Sequence, residues 1–334
     1  MNFDLSDEQR ALAAAARDFF TSACSPADSR RALDEGTPVA PGRARLADTG
    51  FAAITVPESA GGGGGSVLDL AVVAQEAGRV LAGPSLVSVA RAAVLLADDD
   101  ARLASLADGS VGYAVVDGTA PALDAATADQ FLALQGDALV CATGVVTVGA
   151  PIDPTRGLGQ VELGVAVELA SDARLRWERA ERVAQVILAA EGLGAAERAV
   201  EIGVAYAKER QAFGRAIGSY QAVKHALVEA FVGVEQLRSL VWWAAWAADE
   251  APEELPLAAA AVKGLSAEVL ESASETLIQV HGGIGFTWEH DAHLYWRRAK
   301  VDRLLLGDEA AAYDQVARLV LAAPVPAREQ EAAR

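Results

Sequence analysis

One stretch of this chain does not read as helix, and its position constrains the fold more than any other feature. From about Ser105 to Trp177 the apolar residues fall in short β-branched or alternating runs, at 111–116, 131–134, 138–143, 145–148 and 161–169, with Gly and Asp between them. That texture predicts a small antiparallel sheet. On either side the spacing is helical. Ser6-Asp7-Glu8-Gln9 opens a helix with a capping pair and acids at the positive end of the dipole, and Leu5, Leu12, Phe19 and Phe20 recur at helical intervals to about Ala23. Ser66 caps a second helix, which runs through Leu70, Val73 and Ala77 to the stop at Gly83-Pro84, and a third covers 87–96. Beyond the β stretch, helices are expected over 182–208, 220–249, 255–280 and about 302–321. Long helices on short connections pack as antiparallel neighbours, here as a four-helix type of bundle.

The fold class is therefore α+β and mostly α, with segregated elements. Residues 1–104 form an N-terminal helical domain, 105–178 a reduced central β domain, 179–322 the bundle and 323–334 a flexible tail. At 334 residues the chain exceeds what one hydrophobic core of about 250–300 residues usually spans.

Charge narrows the function. A net charge of −18 opposes nucleic-acid binding and docking on anionic lipid. A polyanionic ligand would need local Arg, Lys or backbone N–H groups set against that field. Cys24 and Cys141 suggest no disulfide framework or metal cluster. His290 and His293 lack the Glu-x-x-His partners of a di-iron bundle, so no metal is expected. No run approaches the roughly 20 apolar residues of a membrane span, and an acid precedes any base at the start, which places the chain in the cytoplasm.

Three glycine-bearing segments could meet a ligand. Gly61 to Gly65 lack the Lys-Ser/Thr of a phosphate loop, so a permissive connector is the better reading. Arg210-Gln211-Ala212-Phe213-Gly214 lies at a helix end, where Arg210 can grip a phosphate or cap helix carbonyls. Gln279-Val280-His281-Gly282-Gly283-Ile284-Gly285 either lets a ligand approach the backbone or is a glycine C-cap. Trp242, Trp243 and Trp246 on one helix cannot share one core, so core and subunit interface both stand.

Together these segments resemble the acyl-CoA dehydrogenase family over nearly the whole chain. The resemblance rests on Leu5-Ser6-Asp7-Glu8-Gln9, on Val56-Pro57-Glu58-Ser59-Ala60-Gly61-Gly62 and on Glu76-x-Gly78-Arg79. It continues in Arg210-x-x-Phe213-Gly214 with Gln221, in Gln279-x-x-Gly282-Gly283-x-Gly285 and in Arg297-x-Ala299-Lys300. It implies FAD shared between subunits, with Arg210 on the pyrophosphate, Phe213 and Gln221 near the cofactor, and Gln279, Gly282 and Gly283 along the adenosine-diphosphate half. Two departures matter. The β region lacks the family's Glu-Pro-x-x-Gly-Ser and Trp-x-Thr-Asn segments, which contact the flavin ring and the thioester. The family's base is also missing: its two known positions fall on Leu306 and Ala184, with Gln185 in place of an adjacent Arg. Neither Leu nor Ala accepts a proton. Asp308 and Glu309 are the nearest substitutes, each displaced by at least two residues.

This pattern resembles the non-catalytic subunit of actinobacterial heterotetrameric dehydrogenases of the steroid side-chain type. It implies a catalytic paralogue in an α2β2 assembly, an acyl-CoA substrate and an electron-transferring flavoprotein as acceptor. The alternatives are a self-sufficient homo-oligomeric flavoenzyme with a displaced base, and a flavin-free scaffold.

Overall fold

The structure, a computed structural model, describes residues 4–36 and 40–322. The expected tail at 323–334 lies outside the described residues. Helix α1 (Asp7–Ala23) opens on the capping box read from the sequence: Ser6 Oγ accepts from the Gln9 N–H at 3.1 Å and Gln9 Oε1 accepts from the Ser6 N–H at 3.0 Å. Helices α2 (Pro26–Glu35) and α3 (Arg43–Asp48) follow. Helix α4 (Val67–Arg79) is capped by Ser66, and α5 (Leu86–Leu95) and α6 (Asp100–Ala107) complete the N-terminal helices. All five N–H groups of Gly61–Gly65 bond to carbonyls of residues 53–58, so this run is a tied connector.

The sheet has four strands in the order β1 (Tyr113–Val116), β2 (Gln130–Gln135), β3 (Ala138–Thr147) and β4 (Gln160–Ala170). It is mixed, which corrects the antiparallel expectation: β1 and β2 run parallel, with Tyr113 opposite Gln130, while the other pairs are antiparallel. Alternation reports which faces are buried but not strand direction. Strand β3 merges two expected runs, because register shifts at Leu139/Val140 and Ala142/Gly144 interrupt its alternation.

Helix α7 (Arg174–Glu209) has 36 residues and is about 54 Å long at 1.5 Å per residue. A short hairpin, β5 (Gln211–Ala212) with β6 (Arg215–Ala216), leads to α8 (Gln221–Glu250) and then α9 (Leu255–His281). The expected helix over 302–321 starts later, as α11 (Glu309–Ala322), and a helix the sequence reading did not separate, α10 (Ala292–Asp302), precedes it. Leu306 (φ 58°) and Gly307 (φ 92°) take the left-handed conformation between them, which no continuous helix tolerates. Helices α4 and α7 cross at two glycines. A Cβ on Gly78 would sit 1.9 Å from the Glu191 carbonyl oxygen, and one on Gly194 1.8 Å from that of Gln75. N-terminal helices and bundle share one core, while the sheet packs against α5, α6 and the start of α7 through Leu132, Leu139, Cys141 and Trp177.

A buried polar network ties the β3–β4 connection to the helices. Arg156, 1% exposed, donates from Nε and Nη2 to Asp302 (2.7 and 2.5 Å) and from Nη1 to Glu191 and Ser85 Oγ. Glu191 also accepts from the Ser85 hydroxyl (2.8 Å) and the Leu86 N–H (3.0 Å). Arg298 reaches Asp153 and Thr155 Oγ1, each at 2.7 Å. Asp124 accepts from Ser88 Oγ (2.6 Å) and the Ser85 N–H, and burial pushes its carboxyl up to about 6. Lys263 donates to the Asp302 and Arg303 carbonyls, and burial pushes its amine down to about 8.

Two predictions follow from this network. Arg156→Met strands the Glu191 and Asp302 carboxylates, and loss of one partner of a buried pair costs about 3–5 kcal/mol. Denaturant unfolding should show it, and a loss below about 1 kcal/mol would contradict the role given to Arg156. For Asp124, the folded carboxyl at about 6 lies above the ordinary 3.8. Across that window the native state keeps a proton that the unfolded chain releases, so stability falls as pH rises, by roughly 3 kcal/mol for a shift of about two units. Asp124→Asn should flatten the melting temperature between pH 4 and 6.

Candidate functional site

Two regions carry the residues singled out from the sequence. The first lies at one end of the bundle. Helix α7 ends as Arg210 turns to extended backbone, and Phe213 (φ 51°) and Gly214 (φ 78°) form the two-residue turn of the β5–β6 hairpin. Positive φ at both turn residues matches the twist of a tight hairpin, which is why Gly fits the second position and Phe strains the first. Arg215 stacks on the Tyr220 ring at 4.0 Å, and the Tyr220 hydroxyl donates to the Ala212 carbonyl at 3.1 Å, holding the hairpin to the start of α8.

Between this hairpin and helices α8 and α9 runs a groove of about 630 Å³. Phe213, Ile217, Tyr220, Val223, Thr276 and Gln279 line it, so the fold brings Phe213 and Gln279 together across 66 residues of sequence. Arg210, Gln221, Gly282 and Gly283 are exposed and lie outside its walls. Among the described residues the Arg210 guanidinium has no hydrogen-bond partner, so it does not cap the carbonyls of α7. A Cβ on Gly282 or Gly283 would meet nothing within 4 Å, so both present open backbone. Gly285 is the glycine that packing requires, since its Cβ would fall 2.9 Å from the Ile278 carbonyl oxygen. Phe213 is 97% exposed, and Phe286, Trp288, Val228 and Phe231 are more than half exposed around the same end of the bundle. An unattached cation, open glycine backbone and an exposed aromatic suit a phosphate-bearing aromatic nucleotide.

The second region surrounds Leu306. Gln185 Nε2 donates to the Leu306 carbonyl at 3.0 Å and fixes the turn between α10 and α11, while Ala184 is fully buried in the core. Asp308 accepts the Ala311 N–H at 2.8 Å and so caps α11. Glu309 is ion-paired with Arg303. Both nearby carboxylates are therefore committed to structure.

Two cavities meet here, of about 190 and 360 Å³, and both are lined by Glu181, Leu306 and Gly307. Glu181 was not singled out from the sequence, although it stands one helical turn before Ala184 on the same face of α7. Burial raises its carboxyl above the ordinary range, Arg91 pulls it down, and Asp117 pushes it up again. Among the described residues no group of three or more His, Cys, Asp or Glu is placed to hold a metal ion, and no helix is long and apolar enough to cross a membrane.

Sequence profiles of the acyl-CoA dehydrogenase N-terminal and C-terminal domains match residues 6–98 and 173–321. The chain is 36% identical to acyl-CoA dehydrogenase IpdE2 of Mycobacterium tuberculosis over 288 residues, covering 84% of this chain and 87% of the relative. It is 34% identical to acyl-CoA dehydrogenase FadE34 of the same organism, covering 88% of this chain and 45% of that longer protein. Its fold superposes on the crystal structure of the ChsE4-ChsE5 complex from M. tuberculosis with a TM-score of 0.87 at 25% identity, over 97% of this chain and 100% of the matched one. The motifs at both ends of the groove, the helix–sheet–helix order and this likeness along most of the sequence agree, and the chain belongs to the acyl-CoA dehydrogenase family.

Proposed function

We propose that this chain is the subunit of an FAD-dependent acyl-CoA dehydrogenase that completes the flavin site of a catalytic paralogue and does not itself take the substrate's proton. The observation that carries this reading is an asymmetry between the two regions. The groove end presents Arg210, Phe213, Gln221, Gln279, Gly282 and Gly283 outward, whereas the turn at Leu306 offers no free carboxylate at either family position. In a heteromer, Arg210 meets the pyrophosphate of a flavin seated in the neighbouring subunit. Phe213 and Gln221 pack against the cofactor, and Gln279 with Gly282 and Gly283 lines its adenosine-diphosphate half.

The bound flavin supplies the hydride acceptor for α,β-dehydrogenation of the acyl-CoA. The paralogue supplies the base and the thioester pocket, and an electron-transferring flavoprotein receives the electrons. The likeness to a chain of the ChsE4-ChsE5 complex supports a two-gene assembly, here read as α2β2.

The decisive experiment is co-expression with a candidate paralogue and measurement of flavin per chain. Arg210→Ala removes a charge-assisted contact of about 1.5–3 kcal/mol, so the complex should hold flavin roughly 10- to 100-fold more weakly. A chain purified alone that carries one FAD and oxidises acyl-CoA overturns the proposal. Unchanged flavin content in the Arg210→Ala complex would point instead to a scaffold.

Glu181 favours a second reading, a self-sufficient homo-oligomer whose base has moved one turn along α7. Glu181→Gln separates the two. Under the heteromeric reading, turnover of the complex stays within about twofold. Loss of a general base lowers it by about 10²–10⁴.

A further inference from the structure

Three of the chain's four histidines, His281, His290 and His293, gather around the loop 282–291 that joins α9 to α10. Their rings form a stack rather than a scatter. His281, the last residue of α9, lies 4.0 Å from the Tyr206 ring of α7 on one side and 4.1 Å from the His290 ring on the other. His293, in the first turn of α10, meets the edge of Trp288 at 5.1 Å. His281 and His293 are buried, and the Nε2 atoms of both lack any hydrogen-bond partner.

The bonds these rings make suit only their neutral forms. His281 Nδ1 lies 2.8 Å from the Leu277 carbonyl oxygen and so carries the proton, which leaves Nε2 bare. A second proton there would be a buried donor with no acceptor. His290 Nδ1 accepts the Ala292 N–H at 3.1 Å, and His293 Nδ1 accepts from Arg297 Nε at 3.3 Å. A proton on either Nδ1 sets donor against donor. The charges nearby oppose protonation too. Arg30 on α2 and Arg297 on α10 face His293, Arg30 faces His290, and the one acid that favours the imidazolium, Asp291, is already ion-paired with Arg30. From α7 the stack meets Tyr206.

We propose that this cluster is an acid-sensitive latch, which holds the loop 282–291 against α7 and α9 while its imidazoles are neutral and releases it when they take up protons. Burial first, then the neighbouring cations and rings, holds all three imidazoles below their ordinary range. The open loop therefore binds more protons than the closed one. The latch is at full strength above the ordinary histidine value of about 6.5 and weakens as the pH falls below it. The loop begins with Gly282 and Gly283, so its release would loosen the open glycine backbone at the groove end. The latch itself does not rest on the flavin reading, because every group in it belongs to this chain.

Hydrogen exchange of the full-length chain tests it, followed by mass spectrometry on peptides from 282–291 and normalised to the same peptides unfolded. Between pH 7.5 and 5.5 the normalised exchange of this loop should rise at least about fivefold, with an unchanged circular dichroism spectrum. His281→Phe with His290→Asn keeps a ring on Tyr206 and an acceptor for the Ala292 N–H but cannot titrate, and should cut the rise to less than half. His290→Asn alone, at a half-buried position, should do the same and decides the matter if the double variant does not fold. A smaller rise in the wild-type chain, an undiminished rise in the variants, or loss of the circular dichroism signal over the same range overturns the proposal.

Discussion

The Arg156 guanidinium ties three separate parts of the chain at one buried point. Its partners come from helix α7 (Glu191) and the end of α10 (Asp302), and it sits on the connection between β3 and β4. Arg298 on Asp153 and Thr155, and Arg297 on the Ile152 carbonyl, bind the same connection to α10. Desolvating these charges costs several kcal/mol per ion, which only near-complete hydrogen bonding offsets. Completeness is what the structure shows. Glu191 takes up the Ser85 hydroxyl and the Leu86 N–H, and Lys263 covers the Asp302 carbonyl. The same cluster therefore fixes the start of α5, the middle of α7 and the turn after α10.

That fixation bears on function through Leu306, four residues beyond Asp302. The turn carrying it is held at one end by Asp302 on Arg156 and at its centre by the Gln185 side chain on the Leu306 carbonyl. A non-glycine residue at φ 58° stays there only where its surroundings impose it. Leu306 is thereby a braced apolar wall shared by two cavities. Gln185 does mechanical service here, through its bond to the Leu306 carbonyl.

Local signals in the sequence translated well. The caps at Ser6 and Ser66, the helix end at Arg210 and the break at Gly282 each depend on residues a few positions apart, and each stands where its side-chain chemistry puts it. Long-range pairings did not translate. Arg156 lies 35 residues from Glu191 and 146 from Asp302, and no periodicity links them. The parallel pairing of β1 with β2 left no trace either, since both directions give the same alternation. The helix expected over 302–321 was begun too early because Leu304, Leu305 and Leu306 imitate an apolar stripe, and Gly307 alone was too weak a signal against them. Glu181 escaped because one Glu among the mixed Arg and Glu residues at the start of α7 reads as a solvated face; only the cavity beside it distinguishes it.

The exposure of the groove end has an energetic consequence of its own. A cation in open water contributes about 0–1 kcal/mol to an ion pair, whereas a hydrogen bond to a charged group removed from water contributes about 1.5–3 kcal/mol. Arg210 is exposed on a chain of net charge −18, whose field repels a dianionic pyrophosphate. Phe213 likewise gains nothing from stacking while water covers both its faces. Each of these groups becomes effective only when another surface excludes solvent from it. Ligand affinity at this end is therefore a property of an interface that covers Arg210 and Phe213 rather than of the exposed side chains alone.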